Sequence, residues 1–184
     1  MKAWQHFKTI TKHRTLVMMG CFRVGLIWQG LTHDLSKYSP TEFGIGARFY
    51  QGTRSPNAAE REAKGYSEAW MHHKGRNRHH YEYWTDINSA TRQYESLPMP
   101  RRYLVEMVMD RRAACLTYEG AAYTDSSALN YFRKSMERER MHPQTRQELD
   151  YLLVMLRDQG EKAMFAYLRK HVLAGKPFPW EENE

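Results

Sequence analysis

Apolar residues in the first part of the chain return every three or four positions. Trp4, Phe7, Ile10 and Leu16-Val17 fall on one face at 3.6 residues per turn, which predicts a helix over residues 4–24. Gly25 and Gly30 weaken the next segment, so a bend is expected near Gly25, before a short buried helix over 26–35. Ser39-Pro40-Thr41-Glu42 then carries restart signals: a capping serine, a proline suited to the first turn, and a glutamate three residues after the cap. That helix is expected to run to residue 50. Residues 51–57 (QGTRSPN) read as a loop, 58–73 as a helix with Gly65 its weak point, 74–77 as a turn and 79–84 as another helical piece.

The polar stretch 89–100 ends on Leu97-Pro98-Met99-Pro100, a boundary. Beyond it, Tyr103-Leu104, Met107-Val108 and Cys115-Leu116 form a helical stripe over 101–118. Further helices are expected over 129–140, 143–157 and 161–173, with His142-Pro143 opening the second of these. Few segments alternate as strands do, and neither an internal repeat nor a low-complexity tract is present. The expected fold is all-α, a single-domain helical bundle over residues 1–175 with a tail over 176–184.

The chain has 184 residues, enough to bury a core without staples. Its 41% apolar and 27% charged residues are the balance of a folded domain rather than of a disordered one. Two cysteines, Cys21 and Cys115, lie far apart in apolar stretches. They read as buried free thiols rather than a disulfide, which suits a reducing, cytoplasmic setting. The N-terminus lacks the charged-then-apolar order of a secretory signal. The apolar stretch 15–31 is interrupted by Arg23 and Gln29 and is short for a membrane span, so it reads as a core helix. The net charge of +7 attracts anionic partners. Many arginines, however, alternate with acids, as in Ser135-Met136-Glu137-Arg138-Glu139-Arg140, the pattern of a solvated helix face.

The histidines carry the chemistry. His33-Asp34 are adjacent, His72-His73 and His79-His80 form two doublets close together, His13 lies upstream, and Asp110 sits inside an apolar stripe. Imidazole and carboxylate together suit Mn, Fe, Co, Ni or Zn, one or two ions per chain. Several helices can each supply an inward ligand. On a helix His33 and Asp34 would project about 100° apart and could reach one ion or two neighbouring ions. A buried Asp110 needs a partner, either a metal or an arginine such as Arg14 or Arg112. Neighbours on a helix diverge, so one ligand is expected from each doublet: His73, with His79 or His80. His13 reads equally as a surface or a site residue. His6, His142 and His171 read as surface or capping residues. Trp70, Tyr81, Tyr83 and Trp84 read as core or pocket wall.

His33-Asp34-Leu35-Ser36-Lys37 resembles the His-Asp-x-x-Lys signature of the HD-domain superfamily. The order of His13, His33-Asp34, the two doublets and Asp110 resembles that family's ligand pattern over about residues 12–114. More closely, residues 32–43 together with 69–80 resemble a bacterial HD-like family of unknown function. The superfamily resemblance implies a metal-dependent phosphohydrolase acting on a phosphate ester, often a nucleotide. It implies metal ligation by His13, His33, Asp34, His73, His79, His80 and Asp110. Asp34 would be a ligand and orient the attacking water, and Lys37 would contact a substrate phosphate. Lys74, Arg76 and Arg78, placed among the doublets, could bind the same phosphate. Some members with extra histidines use two irons for oxygen chemistry, the second expectation. The third is a non-catalytic basic module for nucleic acid, which is disfavoured because the arginines are spread along the whole chain. An oligomer is compatible with the methionine-rich composition.

Overall fold

The first helix sets the frame of the molecule. In the computed structural model, which describes residues 1–135 and 140–181, α1 runs over Lys2–Val24. It ends at the expected glycine: Gly25 takes a left-handed φ of 89°, and its N–H closes on Phe22 O at 3.1 Å. The buried face of α1 carries His6, Ile10, His13, Val17, Cys21 and Val24, one residue per turn. It packs chiefly on α6 (Arg101–Glu119). The two helices approach closely at Gly20, where a Cβ would stand 2.7 Å from Met109 Sδ.

Four short helices come next: α2 (Ile27–Thr32), α3 (Pro40–Phe49), α4 (Pro56–Lys64) and α5 (Glu68–Lys74). The helix expected over 26–35 stops at Thr32. His33 is extended and Asp34 is left-handed at φ 55°, leading into a 3₁₀ turn over Leu35–Tyr38. Ser39 caps α3 by accepting from Glu42 N at 3.3 Å, as its pattern predicts. The helix expected over 58–73 is two helices, because Gly65 at φ 84° ends the first.

A buried glutamate holds the joint between them. Glu60 is fully buried and accepts from Ser67 Oγ at 2.6 Å, from Glu68 N at 3.2 Å and from Ala69 N at 3.4 Å. Ser67 in turn caps α5 through Trp70 N at 3.0 Å. One carboxylate of α4 thus satisfies the otherwise unpaired N–H groups at the start of α5.

The piece expected as helical over 79–84 is a single 3₁₀ turn, Tyr81–Tyr83. It runs into a hairpin that three-residue strands were too short to announce by alternation: β1 (Thr85–Ile87) against antiparallel β2 (Tyr94–Ser96), with Asp86 opposite Glu95. The hairpin is the one sheet among the described residues, and the fold is all-α.

α7 (Ser127–Ser135) starts two residues before its expected position. Residues 136–139, with their expected solvated face, lie outside the described residues. α8 spans Pro143–Tyr167 but leaves helical geometry at Gly160 (φ 76°, ψ 173°), which divides it near the expected gap between 157 and 161. Leu104, Phe132, Leu149, Leu152, Leu153, Leu156 and Met164 fill one continuous core from α6, α7 and α8. The segment expected as a tail is anchored through residue 181. Phe178 is fully buried, Trp180 stacks on it, and Glu181 pairs with Arg101 at 2.9 Å. Cys21 and Cys115 are free and buried; burial and nearby carboxylates push the pKa of both thiols up to about 12, which disfavours the thiolate. Among the described residues no helix is long and apolar enough to cross a membrane.

Replacing Glu60 by alanine leaves the buried Ser67 hydroxyl and Ala69 N–H, and the part-buried Glu68 N–H, without this acceptor, at a cost of about 1–3 kcal/mol. Glu60→Ala is therefore expected to lower the urea midpoint, and Glu60→Gln to recover part of the loss. An unchanged midpoint for Glu60→Ala would show that the carboxylate does not hold the α4–α5 joint.

Candidate metal centre

Five segments bring their polar side chains to one point under α1. His13 comes from α1, His33 and Asp34 from the end of α2, His73 from α5, His79 and His80 from the turn after it, and Asp110 from α6. Asp34 lies at the middle. It is 1% exposed, which means its carboxylate has no water to turn to. Its left-handed backbone, uncommon outside glycine though tolerated by aspartate, is the kind of local strain that gathers at functional sites.

The two oxygens of Asp34 face two different groups. Oδ2 lies 3.6 Å from His13 Nε2 and 3.3 Å from His33 Nε2. Asp110 Oδ1 closes that group at 2.9 Å from His13 Nε2 and 3.5 Å from His33 Nε2. Oδ1 lies 3.2 Å from His73 Nε2 and 3.4 Å from His79 Nε2, with His80 completing the second group. Lys37 Nζ stands 2.6 Å from Asp34 Oδ2.

Apart from the Lys37 ion pair, these contacts lack hydrogen-bond geometry. Nε2 of His13, His33, His73, His79 and His80, and both oxygens of Asp34, are buried without a hydrogen-bond partner. Such orphans are rare in folded proteins, and seven at one point need a common cause. Ligands about 2.1 Å from an ion stand about 3.0 Å apart at right angles and about 3.4 Å apart at tetrahedral angles. The separations across both groups cluster about those values, so each group could hold a metal ion.

The opposite ring nitrogens are oriented by two further carboxylates. Glu106 on α6 receives His33 Nδ1 at 2.9 Å and His79 Nδ1 at 3.1 Å. Glu42 on α3 receives His73 Nδ1 at 2.8 Å and His72 Nδ1 at 2.6 Å. A carboxylate behind the ring fixes which nitrogen faces the ion and raises its basicity. His33, His79 and Glu106 also form a three-member group that could hold an ion, but the contacts to Glu106 have the lengths of hydrogen bonds.

The electrostatics reflect this crowding. Burial opposes charge on His33, yet the Asp34 carboxylate, the nearby Asp110 and the bond to Glu106 push its pKa well above the ordinary value. Burial opposes charge on His73 too, and Asp34 and Glu42 raise it. His79 is lowered by burial and by neighbouring His33, and His80 goes well below the usual range through burial and its histidine neighbours. Burial would raise Asp34 and Asp110, but the surrounding imidazoles, with Lys37 for Asp34, hold both well below the carboxylate range.

The expected ligands His13, His33, Asp34, His73, His79, His80 and Asp110 all meet here. The second doublet contributes both its members rather than one, because residues 79 and 80 lie in a turn, where neighbours need not diverge as on a helix. His72 turns to Glu42 instead. Asp110 is not an arginine's partner: Arg14 donates to the carbonyls of Leu31 and His33, and Arg112 pairs with Glu161.

A cavity of about 950 Å³ opens beside the centre, with His13, Lys37, His73, His80 and Asp110 in its wall. Trp70 and Tyr81 line it as expected, but Lys74, Arg76 and Arg78 do not. The turn that sends the histidines inward leaves those cations outside: Arg76 donates to His72 O and Arg78 to Tyr103 Oη. His6, expected at the surface, is 5% exposed and lines the cavity. Glu42 and Glu106 were not foreseen as site residues. Glu106 stands four residues before Asp110, on the same helix face, which was the available signal. Glu42 was masked by its role in the capping pattern.

Fold and centre together define an all-α protein with a buried histidine and carboxylate cluster able to hold metal. The chain belongs to the family described as "Family of unknown function (DUF5662)", which matches residues 2–155 and so includes every residue of the cluster. No curated protein and no solved structure matches it.

Ligating imidazole is neutral, and the Asp34 carboxylate favours the protonated form of His33 and His73, so protons and an incoming ion compete for the same nitrogens. Uptake of Zn or Mn at pH 7 is expected to release protons, with affinity falling as pH falls. Calorimetric titration in buffers of different ionisation enthalpy measures this; a heat independent of the buffer would contradict it.

Proposed function

We propose that this protein is a metal-dependent phosphohydrolase acting on a phosphate ester, a nucleotide or another phosphorylated small molecule, with two divalent ions held on either side of Asp34. The observation that carries the reading is the set of seven buried donor atoms without hydrogen bonds, divided into two groups around one carboxylate. His13, His33, Asp34 and Asp110 would hold one ion; Asp34, His73, His79 and His80 would hold the other. Donors of this mixture suit Mn, Fe, Co, Ni or Zn. When bound, the ions supply Lewis acidity, polarising a phosphoryl oxygen and acidifying a water.

The chain's own groups do the rest. Lys37 lies in the cavity wall beside Asp34, where its ammonium can hold a phosphoryl oxygen and offset charge developing there. Asp34 orients the attacking water, whose proton passes to the departing alkoxide as the P–O bond breaks. Glu42 and Glu106 keep the imidazoles in register. The resemblance to the HD superfamily, with Lys37 three residues after Asp34, supports the same reading. A di-iron oxygenase is the second reading, favoured by the three histidines of the second group, a nitrogen-rich set that suits iron. The nucleic-acid reading gives these buried groups no role.

Elemental analysis of protein purified without a metal-affinity tag tests the centre. Close to two ions per chain are expected, about one in His80→Ala, and none in Asp34→Ala. No metal after reconstitution would overturn the reading. For the chemistry, Lys37→Ala is expected to keep its metal but to lose about 10²–10³ in kcat/KM on a phosphate-ester panel. Iron content with oxygen consumption and no ester hydrolysis would select the oxygenase instead.

A further inference from the structure

The cavity beside the centre changes character along its length. One end is ionic, with Lys37, Asp110 and the histidines. The other, between the start of α1 and the loop after α3, carries neutral hydrogen-bonding groups: Thr9, Thr53, Ser55 and Asn57. Arg54 and Arg61 line the cavity there too; the guanidinium of Arg54 is held on both oxygens of Glu62, and that of Arg61 lies over the Trp70 ring at 5.5 Å.

His6 sits in this neutral end. It is seven residues before His13, two turns along the same face of α1. It is 5% exposed, and its Nδ1 is buried with no hydrogen-bond partner, although a buried imidazole nitrogen ordinarily has one. Its ring rests on Phe43 (5.4 Å between centroids) and Tyr50 (5.7 Å), and Tyr50 Oη is already paired with Thr9 Oγ1 at 2.8 Å. Opposite lies Gly46, in ordinary helical backbone, where a Cβ would stand 2.3 Å from His6 Nε2. That glycine is needed for room rather than for conformation. The ring is thus held from several sides; Nδ1 is closed off from the cavity, which leaves Nε2, beside Gly46, as the nitrogen that a bound group can reach.

We propose that His6 is a specificity-determining residue: its imidazole hydrogen-bonds an uncharged hydroxyl of the substrate, which is a phosphate ester of a polyhydroxylated, sugar-like alcohol. This rests on the phosphohydrolase reading and deepens it. A phosphate group alone would leave most of a cavity of about 950 Å³ empty. Burial and the Lys37 charge hold the imidazole down to about 4, so it is neutral under physiological conditions. A neutral imidazole offers one donor and one acceptor, the complement of a hydroxyl and a poor match for a second anion.

The test measures binding by calorimetry to metal-loaded protein with three probes. These are inorganic phosphate, the methylenephosphonate analogue of ribose 5-phosphate, and its cyclopentane counterpart without hydroxyls. Wild type is expected to prefer the ribose probe at least about tenfold, since a site built for a hydroxyl rejects the analogue lacking it. In His6→Phe the preference should vanish while the Kd of phosphate stays within about twofold, the ionic end being untouched. Gly46→Ala, which displaces the ring without altering it, should do the same, and His6→Gln should restore part of the preference. Equal discrimination in wild type and His6→Phe, with phosphate bound by both, would overturn the His6 proposal and leave the phosphohydrolase reading standing. Loss of phosphate binding in every variant would overturn it also, by assigning His6 a structural role. Failure of wild type to bind any of the three probes would overturn the phosphohydrolase reading, and this proposal with it.

Discussion

Asp34 is a carboxylate taken almost wholly out of water at a point where five chain segments meet, and the surrounding structure is arranged about the cost of that burial. An unpaired charge in such a place is destabilising by several kcal/mol and would normally be neutralised or displaced. Here the charge is answered from both sides, by imidazoles on each oxygen and by Lys37. Those contacts favour protons on His33 and His73. With the proposed ions the answer is coordination. The two exclude each other, so ion binding, protonation and folding stability are linked through one residue.

The supporting carboxylates extend that constraint into the fold. Glu106 belongs to α6, one of the helices of the core, and it holds His33 and His79. Glu42 belongs to α3 and holds His72 and His73 from the side. α5, which carries two of those histidines, is a helix of only seven residues, too short to be stable by itself. It is fixed at its start by Glu60 and along its length by Glu42. The rigidity of the centre therefore comes from hydrogen-bonded acids on neighbouring helices more than from the element bearing the ligands.

Much of this was legible in the sequence, and the failures have particular causes. The helix boundaries were readable where period and boundary signals agree: Gly25 closes α1, Ser39-Pro40 opens α3 and Pro143 opens α8. That these residues would gather was readable because histidine doublets and a lone aspartate in an apolar stripe are difficult to place otherwise. What could not be read is conformation at single residues. A helix was expected through Asp34, and the left-handed turn there is decided by tertiary contacts that outweigh local preference. The same holds for the turn that lets both His79 and His80 face inward. The basic residues near the doublets misled for a geometric reason: a turn that points histidines in points its neighbours out. The hairpin at residues 85–96 escaped because its strands are three residues long.

Two glycines on helices show how the shape of the site depends on absent side chains. Gly20 and Gly46 both have ordinary helical backbone, so neither is required for a turn. Gly20 admits Met109, the residue before Asp110, and thereby lets α1 approach α6 closely near His13. Gly46 admits the ring of His6. Between them, the buried face of α1 passes from Val17, Cys21 and Val24 in the apolar core, through His13 at the centre, to His6 in the cavity. A single helical stripe thus runs from packing to ligation to the proposed recognition of substrate. Its hydrophobic periodicity is strong enough to place the helix, and the histidines occupy positions that the same periodicity would otherwise assign to the core. A polar residue at a core position is costly unless something meets it. On α1 the two that occur meet a cluster able to hold metal and a cavity, so the departures from the apolar pattern mark the end of the helix where the candidate site lies.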